Sequence, residues 1–299
     1  METAVKFEKQ KAKSIFSIFI ELSKLNILSL VLVATFLGYY LGNNGIGSWA
    51  LLGFTLLGTT MASAGAGALN HYLERKPDKL MSRTKNRPLV VGSVSTMVVI
   101  IYGVLMVVLG SLLLAMKVNM LTGFLSFLTA FLYIVIYTPL KRITWLNTSI
   151  GSIPGAMPII GGWTAATGEI GTMAWILFGM MYLWQHPHFY AIAWMCKDDY
   201  AAADFKMLPV IEPNGNRTIR QIFWHLLLII PVALLPVVEG ALGTIYLIGV
   251  TIISCLFFMS AIPLAKDRSH KSALLLMKAS VIYLPALLII IMIDIGLQT

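Results

Sequence analysis

Charge is scarce in this sequence. Only 12% of its 299 residues are Asp, Glu, Lys or Arg and 58% are hydrophobic, against about 25% charged side chains in an average soluble domain. Such a chain cannot cover a water-soluble globule with polar surface. Its apolar residues also run on in long stretches rather than alternating, which excludes a transmembrane β-barrel. Acids are fewer than bases, 13 against 22, for a formal charge of +9. In a soluble chain that excess would suggest nucleic acid; beside a membrane it has a simpler origin, and no nucleic acid is expected. Cysteine is nearly absent: Cys196 and Cys255 stand alone, with no Cys-x-x-Cys spacing for a metal or redox motif. No short hydrophobic core with a small-residue cleavage site follows the mixed-charge start, so no cleaved signal is read. The Asp-x-x-Asp-Gly-x-x-Ala-Arg run expected of a phosphatidyl-alcohol transferase is missing too.

What is present is a series of apolar runs at 22–41, 49–73, 93–116, 119–138, 149–166, 171–196, 219–238, 242–264 and 272–293, each near the roughly 20 residues that a membrane-spanning helix needs. The predicted fold is an all-α polytopic membrane protein of nine transmembrane helices, one domain over 1–299, with 1–20 an amphipathic approach to the first span. Gly-rich connectors at 42–47, 167–171 and 239–243 suit antiparallel neighbours. Assigned to the helix ends, 21 of the 22 bases fall on one side and only Lys117 on the other. That asymmetry predicts a cytoplasmic amino terminus, cytoplasmic connectors at 74–92 and 197–218, and a carboxyl terminus outside. The expected location is the cytoplasmic (inner) membrane of the cell.

The two long connectors also hold six of the 13 acids: Glu74, Asp78, Asp198, Asp199, Asp204 and Glu212. Carboxylates beside a bilayer are costly unless solvated, paired or bound to a cation. Asn70, Glu74 and Asp78 are spaced four and four, which gathers them on one side of a continuous helix. Magnesium accepts a few such oxygens and leaves room for water and phosphate. Pro77 is expected to bend or end that stripe. Arg83 and Arg87 follow, with Lys79 and Lys85, and arginine's planar fork matches phosphate oxygens. A polybasic loop holding lipid headgroups would need no carboxylates. The second connector, Lys197-Asp198-Asp199-Tyr200 followed by Asp204, Lys206 and Pro209, repeats acid, base and proline in the same order, as a parallel internal repeat would. Its acids are expected to face the first set.

Tyr137-Thr138-Pro139-Leu140-Lys141-Arg142 ends the fourth run, with Pro139 biasing Thr138 out of helix; an aromatic belt and a boundary lysine would read the same way. His186 and His188 flank Pro187 inside the sixth run, where polar side chains are candidates for a cavity lining or metal ligation. Their i,i+2 spacing sends them to different faces, and Pro187 is expected to break the helix's regularity. His71 lies beside the first acid cluster, His225 reads as structural, and His270 as solvated.

Together these blocks resemble the UbiA-type intramembrane prenyltransferases, and within them the branch that farnesylates protohaem IX. Asn70-x3-Glu74-x3-Asp78, Met81-x-Arg83-Thr-Lys-Asn-Arg87-Pro, Tyr137-Thr-Pro-Leu-Lys141-Arg142, Trp184-Gln-x-Pro-His188-Phe and Lys197-Asp-Asp-Tyr200 with Met207-Leu-Pro stand in that branch's order. Members commonly carry Asp where this chain has Glu74, and often Gly in place of Asp204; Pro77 is unusual. The resemblance implies a nine-helix bundle that moves farnesyl from farnesyl diphosphate to a vinyl group of haem b, giving haem O. It implies Mg2+ on Asn70, Glu74, Asp78, Asp198 and Asp199, with Tyr137 and Lys141 completing the catalytic set. Arg83, Arg87, Lys141, Arg142 and Lys206 would hold the diphosphate, and His188, then His186, the haem. A haem A synthase or terminal-oxidase assembly would be the downstream partner. The motifs themselves do not spell haem, for no Cys-x-x-Cys-His is present. Two other readings stay open: a prenyltransferase acting on a quinone or other aromatic acceptor, and a transporter of anionic lipids or metabolites.

A topology reporter fused after Arg87 or Lys206 is expected to stay cytoplasmic, and one fused after Thr299 to be exported. A cytoplasmic signal from Thr299 would mean an even number of spans.

Overall fold

A computed structural model describes residues 14–298; Lys6, Lys9, Lys11, Lys13 and most of the 1–20 segment lie outside the described residues. Among the described residues the regular structure is entirely helical. The long helices are α1 Leu25–Gly42, α2 Trp49–Asp78, α3 Thr96–Lys117, α4 Met120–Leu140, α5 Asn147–Thr167, α6 Thr172–Met195, α7 Asn216–Val238, α8 Thr244–Asp267 and α9 His270–Gln298. Each overlaps one predicted apolar run. Seven are long and apolar enough to cross a membrane; α5 and α6 are not among them. The reason is local: α5 is rich in Gly, Ser and Thr and holds two prolines, while α6 carries Gln185, His186 and His188. These polar side chains are buried inside the bundle rather than turned to lipid.

Helix starts are fixed by side-chain caps. Ser48 accepts from Leu51 N–H, Ser95 from Val98 N–H and Asn119 from Thr122 N–H, each satisfying an amide that the first turn leaves without an intrahelical partner. The first run does not begin at Leu22 as expected. Leu22 ends a short helix, Ile15–Leu22, and Lys24 then takes the left-handed conformation at φ 51° before α1 begins.

Proline disturbs the helices less than its chemistry suggests. α2 runs through Pro77 to Asp78, so the stripe Asn70, Glu74, Asp78 rides one uninterrupted helix. α6 likewise continues through Pro187. Pro139 does not push Thr138 out of helix; Thr138 keeps φ −59° and ψ −45°. A π-helical stretch, Leu132–Tyr137, precedes it, and both the backbone N–H and the hydroxyl of Thr138 donate to the Tyr133 carbonyl. The widened turn absorbs the residue that Pro139 would otherwise displace.

α1 packs on α5, α2 on α3, and α6 on α5, α7 and α9. Lipid offers helices no hydrophobic drive to associate, so close packing must hold them, and small residues permit it. At the α1–α5 crossing a Cβ on Gly38 would stand 2.0 Å from the Ile159 carbonyl oxygen, and one on Gly162 1.9 Å from that of Thr35. Backbone meets backbone there. Gly161, the residue before Gly162, has nothing within 4 Å of its would-be Cβ.

Gly162→Val is therefore expected to abolish recovery of monodisperse protein in detergent, and Gly161→Val to leave it unchanged. Size-exclusion chromatography of the two variants checks the crossing.

Candidate functional site

The last two turns of α2 carry Asn70, Glu74 and Asp78, at 0%, 6% and 0% exposure. Oxygens so buried need partners, and each of the three residues meets a cation from a different part of the chain. Lys24, at the turn before α1, donates to Asn70 Oδ1. Lys141, just beyond α4, lies 2.6 Å from Glu74 Oε1, and Arg87 Nη1 lies 2.6 Å from Asp78 Oδ2. Asn70 also donates to Thr138 Oγ1 at 2.9 Å, and Thr84 Oγ1 donates to the Asp78 carbonyl at 2.9 Å. Asp78 Oδ1 and His71 Nδ1 are buried with no hydrogen-bond partner among the described residues.

The two lysines are tuned in opposite directions. Burial, opposed by Glu74, brings Lys24 down to about 7. Burial also works against Lys141, but Glu74 and then Tyr137 outweigh it and hold its pKa above the ordinary lysine value. The Lys141 ammonium stands 4.7 Å from the centre of the Tyr137 ring, within the range of a cation–π contact.

The second connector folds against the first. Asp199 accepts from Ser82 N–H at 2.8 Å and from Arg83 N–H at 3.2 Å. Arg83 donates to the Tyr200 hydroxyl at 3.4 Å, with its guanidinium carbon 5.6 Å from the Tyr200 ring centre. Met81 is buried among Ala193, Ala203, Phe205 and Met207. Lys206 N–H donates to the Lys141 carbonyl at 2.7 Å, and Asn147 donates to the Lys206 carbonyl at 3.0 Å. The sequence-predicted neighbourhood of the two loops is thus present as a braced structure.

Its details depart from the expected division of roles. Asp198 is exposed, and Asp199 spends both oxygens on backbone amides. Among the described residues no three His, Cys, Asp or Glu side chains form a metal-binding group. Arg142 and Lys206 turn to Asp204, at 3.8 and 2.6 Å, and the Lys206 ammonium holds Asp204 below the usual carboxylate range. The α2 stripe remains suited to a hard divalent cation, with an amide and two carboxylates on one face and Asp78 Oδ1 unpartnered. A cavity of about 410 Å³ opens beside it, lined by Glu74, Pro77, Thr138, Arg142, Asp204 and Phe205. Lys24 is the site residue that sequence reasoning assigned only to topology.

The α6 histidines face apart, as their spacing predicts. His188 Nδ1 lies 2.7 Å from Ser280 Oγ, whose own hydroxyl donates to the Met277 carbonyl at 2.5 Å. With that proton committed, Nδ1 is the donor and Nε2 keeps the lone pair. Trp184 stacks on His188 at 5.2 Å and donates to the Ser280 carbonyl. His186 donates from Nδ1 to the Tyr182 carbonyl at 2.8 Å, and its Nε2 meets Ser149 Oγ at 3.1 Å, so both its nitrogens are engaged.

Residues 31–282 match the model of the UbiA prenyltransferase family. The chain is 43% identical over 274 residues to the protohaem IX farnesyltransferase of Salinibacter ruber, covering 91% of this chain and 96% of that protein. It is 38% identical over 285 residues to that of Solibacter usitatus, covering 92% and 98%. Among solved structures, one of a digeranylgeranylglyceryl phosphate synthase aligns with a TM-score of 0.77 at 16% identity, over 94% of this chain and 98% of that one. A UbiA homologue from Archaeoglobus fulgidus bound to DMAPP and Mg2+ aligns at 0.60 and 16% identity, over 89% and 98%.

Lys141→Met strands the Glu74 carboxylate in the protein, and breaking a buried pair costs about 3 to 5 kcal/mol while replacing both partners costs far less. The Lys141→Met variant is expected to melt well below the parent, and the Lys141→Met, Glu74→Gln double variant to recover most of the loss. Thermal unfolding in detergent measures both.

Proposed function

The chain belongs to the UbiA prenyltransferase family, and from that premise we propose how it carries a farnesyl group from farnesyl diphosphate to a vinyl group of protohaem IX. It is a prenyltransferase. The protohaem acceptor is supported by the likeness to protohaem IX farnesyltransferases along nine-tenths of the chain. The observation that carries the chemistry is the buried stripe Asn70, Glu74, Asp78, ringed by Lys24, Arg87 and Lys141.

In this reading Asn70, Glu74 and Asp78 would hold Mg2+ beside the diphosphate and the exposed Asp198 would add to them from the second connector, while Asp199, expected as a further ligand, is taken up by the Ser82 and Arg83 amides. The ion would supply Lewis-acid neutralisation of the leaving group. Arg83, Arg87 and Lys141 would face the diphosphate oxygens, where fixed cations favour charge that develops as the C–O bond breaks and its electron pair leaves with the diphosphate; Arg142 and Lys206, expected beside them, would reach it only by giving up Asp204. Tyr137 presents its ring to the allylic cation. The vinyl group of haem b attacks the farnesyl carbon, water adds at the neighbouring carbon and one proton is released, giving haem O. His188, whose Nε2 lone pair is uncommitted, positions the haem; His186 is the weaker candidate because both its nitrogens are bonded. The product passes to a haem A synthase or terminal-oxidase assembly.

The same reading places the protein in the cytoplasmic (inner) membrane with all nine long helices as spans. α5 and α6 cross despite their polarity because protein, not lipid, surrounds that polarity. An odd number of spans leaves the amino terminus and the active site cytoplasmic and the carboxyl terminus outside.

Purified protein given Mg2+, farnesyl diphosphate and haem b is expected to yield a more hydrophobic haem on pigment chromatography. Asp78→Asn should abolish that product and leave the protein monodisperse. His188→Ala should weaken haem binding without changing farnesyl diphosphate affinity. A quinone precursor prenylated in place of haem would overturn the acceptor.

A further inference from the structure

The short helix Lys197–Ala202 ends in a turn that calls for glycine. Asp204 N–H donates to the Ala201 carbonyl at 3.1 Å and Phe205 N–H to the Tyr200 carbonyl at 2.9 Å, while the Phe205 and Tyr200 rings meet with centres 5.8 Å apart. These are the paired bonds and the apolar contact of a Schellman end, whose left-handed residue is usually glycine. Here it is Asp204, at φ 56°. Aspartate tolerates that conformation, but at a cost that glycine does not bear. A strained residue of this kind beside a site is reason to ask what its side chain does.

The Asp204 carboxylate is divided between two bases: Oδ1 lies 2.6 Å from Lys206 Nζ and Oδ2 3.8 Å from Arg142 Nη2. Asp204, Arg142 and Phe205 share the cavity of about 410 Å³ with Glu74. The Lys206 N–H is bonded to the Lys141 carbonyl, and the Phe205 ring lies 6.0 Å from the Lys141 ammonium. The trio is thereby anchored beside the Glu74–Lys141 pair. A carboxylate set between a lysine and an arginine takes the place that phosphate oxygens would take. All three side chains stay open to water, where ion pairs hold weakly and exchange partners readily. Resting on the proposal that a prenyl diphosphate is the donor, we propose that Asp204 is an internal competitor of that diphosphate. It yields Arg142 and Lys206 as the donor binds and takes them back as diphosphate leaves, so that one carboxylate sets the donor's affinity and hastens the product's release.

Inorganic pyrophosphate and farnesyl diphosphate, each titrated with Mg2+ into detergent-purified protein by calorimetry, test this without an acceptor. Asp204→Gly supplies the residue that the turn prefers and removes the carboxylate; Asp204→Asn keeps a side chain that tolerates the left-handed conformation and removes only the charge. Both variants are expected to bind each ligand about five- to tenfold more tightly, the size that one or two exposed ion pairs represent. The gain should vanish when Arg142→Gln and Lys206→Gln are already in place, where Arg83, Arg87 and Lys141 still hold the diphosphate but Asp204 has nothing to withhold. A gain of equal size in that background would mean repulsion at a distance, and a gain in Asp204→Gly alone would mean an effect of the turn; either overturns the competition. Parent-like affinity in both Asp204 variants overturns it too, and leaves the prenyl-donor reading standing. Failure of the parent protein to bind either ligand would overturn that reading itself.

Discussion

Two carboxylates and a carboxamide buried at the edge of a bilayer are tolerable only if each meets a positive partner, and this requirement organises the molecule. Lys24, Arg87 and Lys141 come from the turn before α1, the connector after α2 and the residue after α4. The stripe on α2 therefore gathers three regions far apart in sequence. Held this way, the oxygens are kept from lipid by the same cations that, on the proposed reading, would receive the diphosphate. On the proposed reading, folding and catalysis draw on the same contacts.

The second connector acts at one remove. Asp199 accepts the amides of Ser82 and Arg83, and Lys206 N–H reaches the Lys141 carbonyl. Those bonds hold the backbone of the basic residues rather than their charges. The repeated order of acids and bases in the two connectors would suggest equal roles; the geometry instead gives the α2 side the buried polar cluster and the α6 side the brace.

Long apolar runs made the helices legible, because some 20 apolar residues leave a segment few other stable forms in a membrane. The three-residue gaps of the α2 stripe were legible for the same reason: a helix repeats, and its faces can be counted. Lys24 was not, since its reach to Asn70 spans 46 residues and depends on one left-handed turn. Nor was the role of Asp199, because backbone amides have no letter in a sequence. Proline misled in a consistent way. The expected breaks at Pro77, Thr138 and Pro187 assumed an isolated helix, whereas the bundle supplies packing and a π-helical stretch that absorb the lost hydrogen bond.

That π-helical stretch sets a phase. Each residue of an α-helix turns the chain by about 100°, so the extra residue held in the widened turn from Leu132 to Tyr137 rotates everything after it relative to the first half of α4. Tyr137, Thr138 and Lys141, which all reach the α2 cluster or its ring of cations, lie at or beyond the bulge. The first half of α4 and its Lys141 end are thus indexed independently. A lineage with one residue fewer here would keep a perfectly good transmembrane helix while its tyrosine and lysine pointed elsewhere, so the length of this short segment, as much as its composition, sets whether Lys141 meets Glu74.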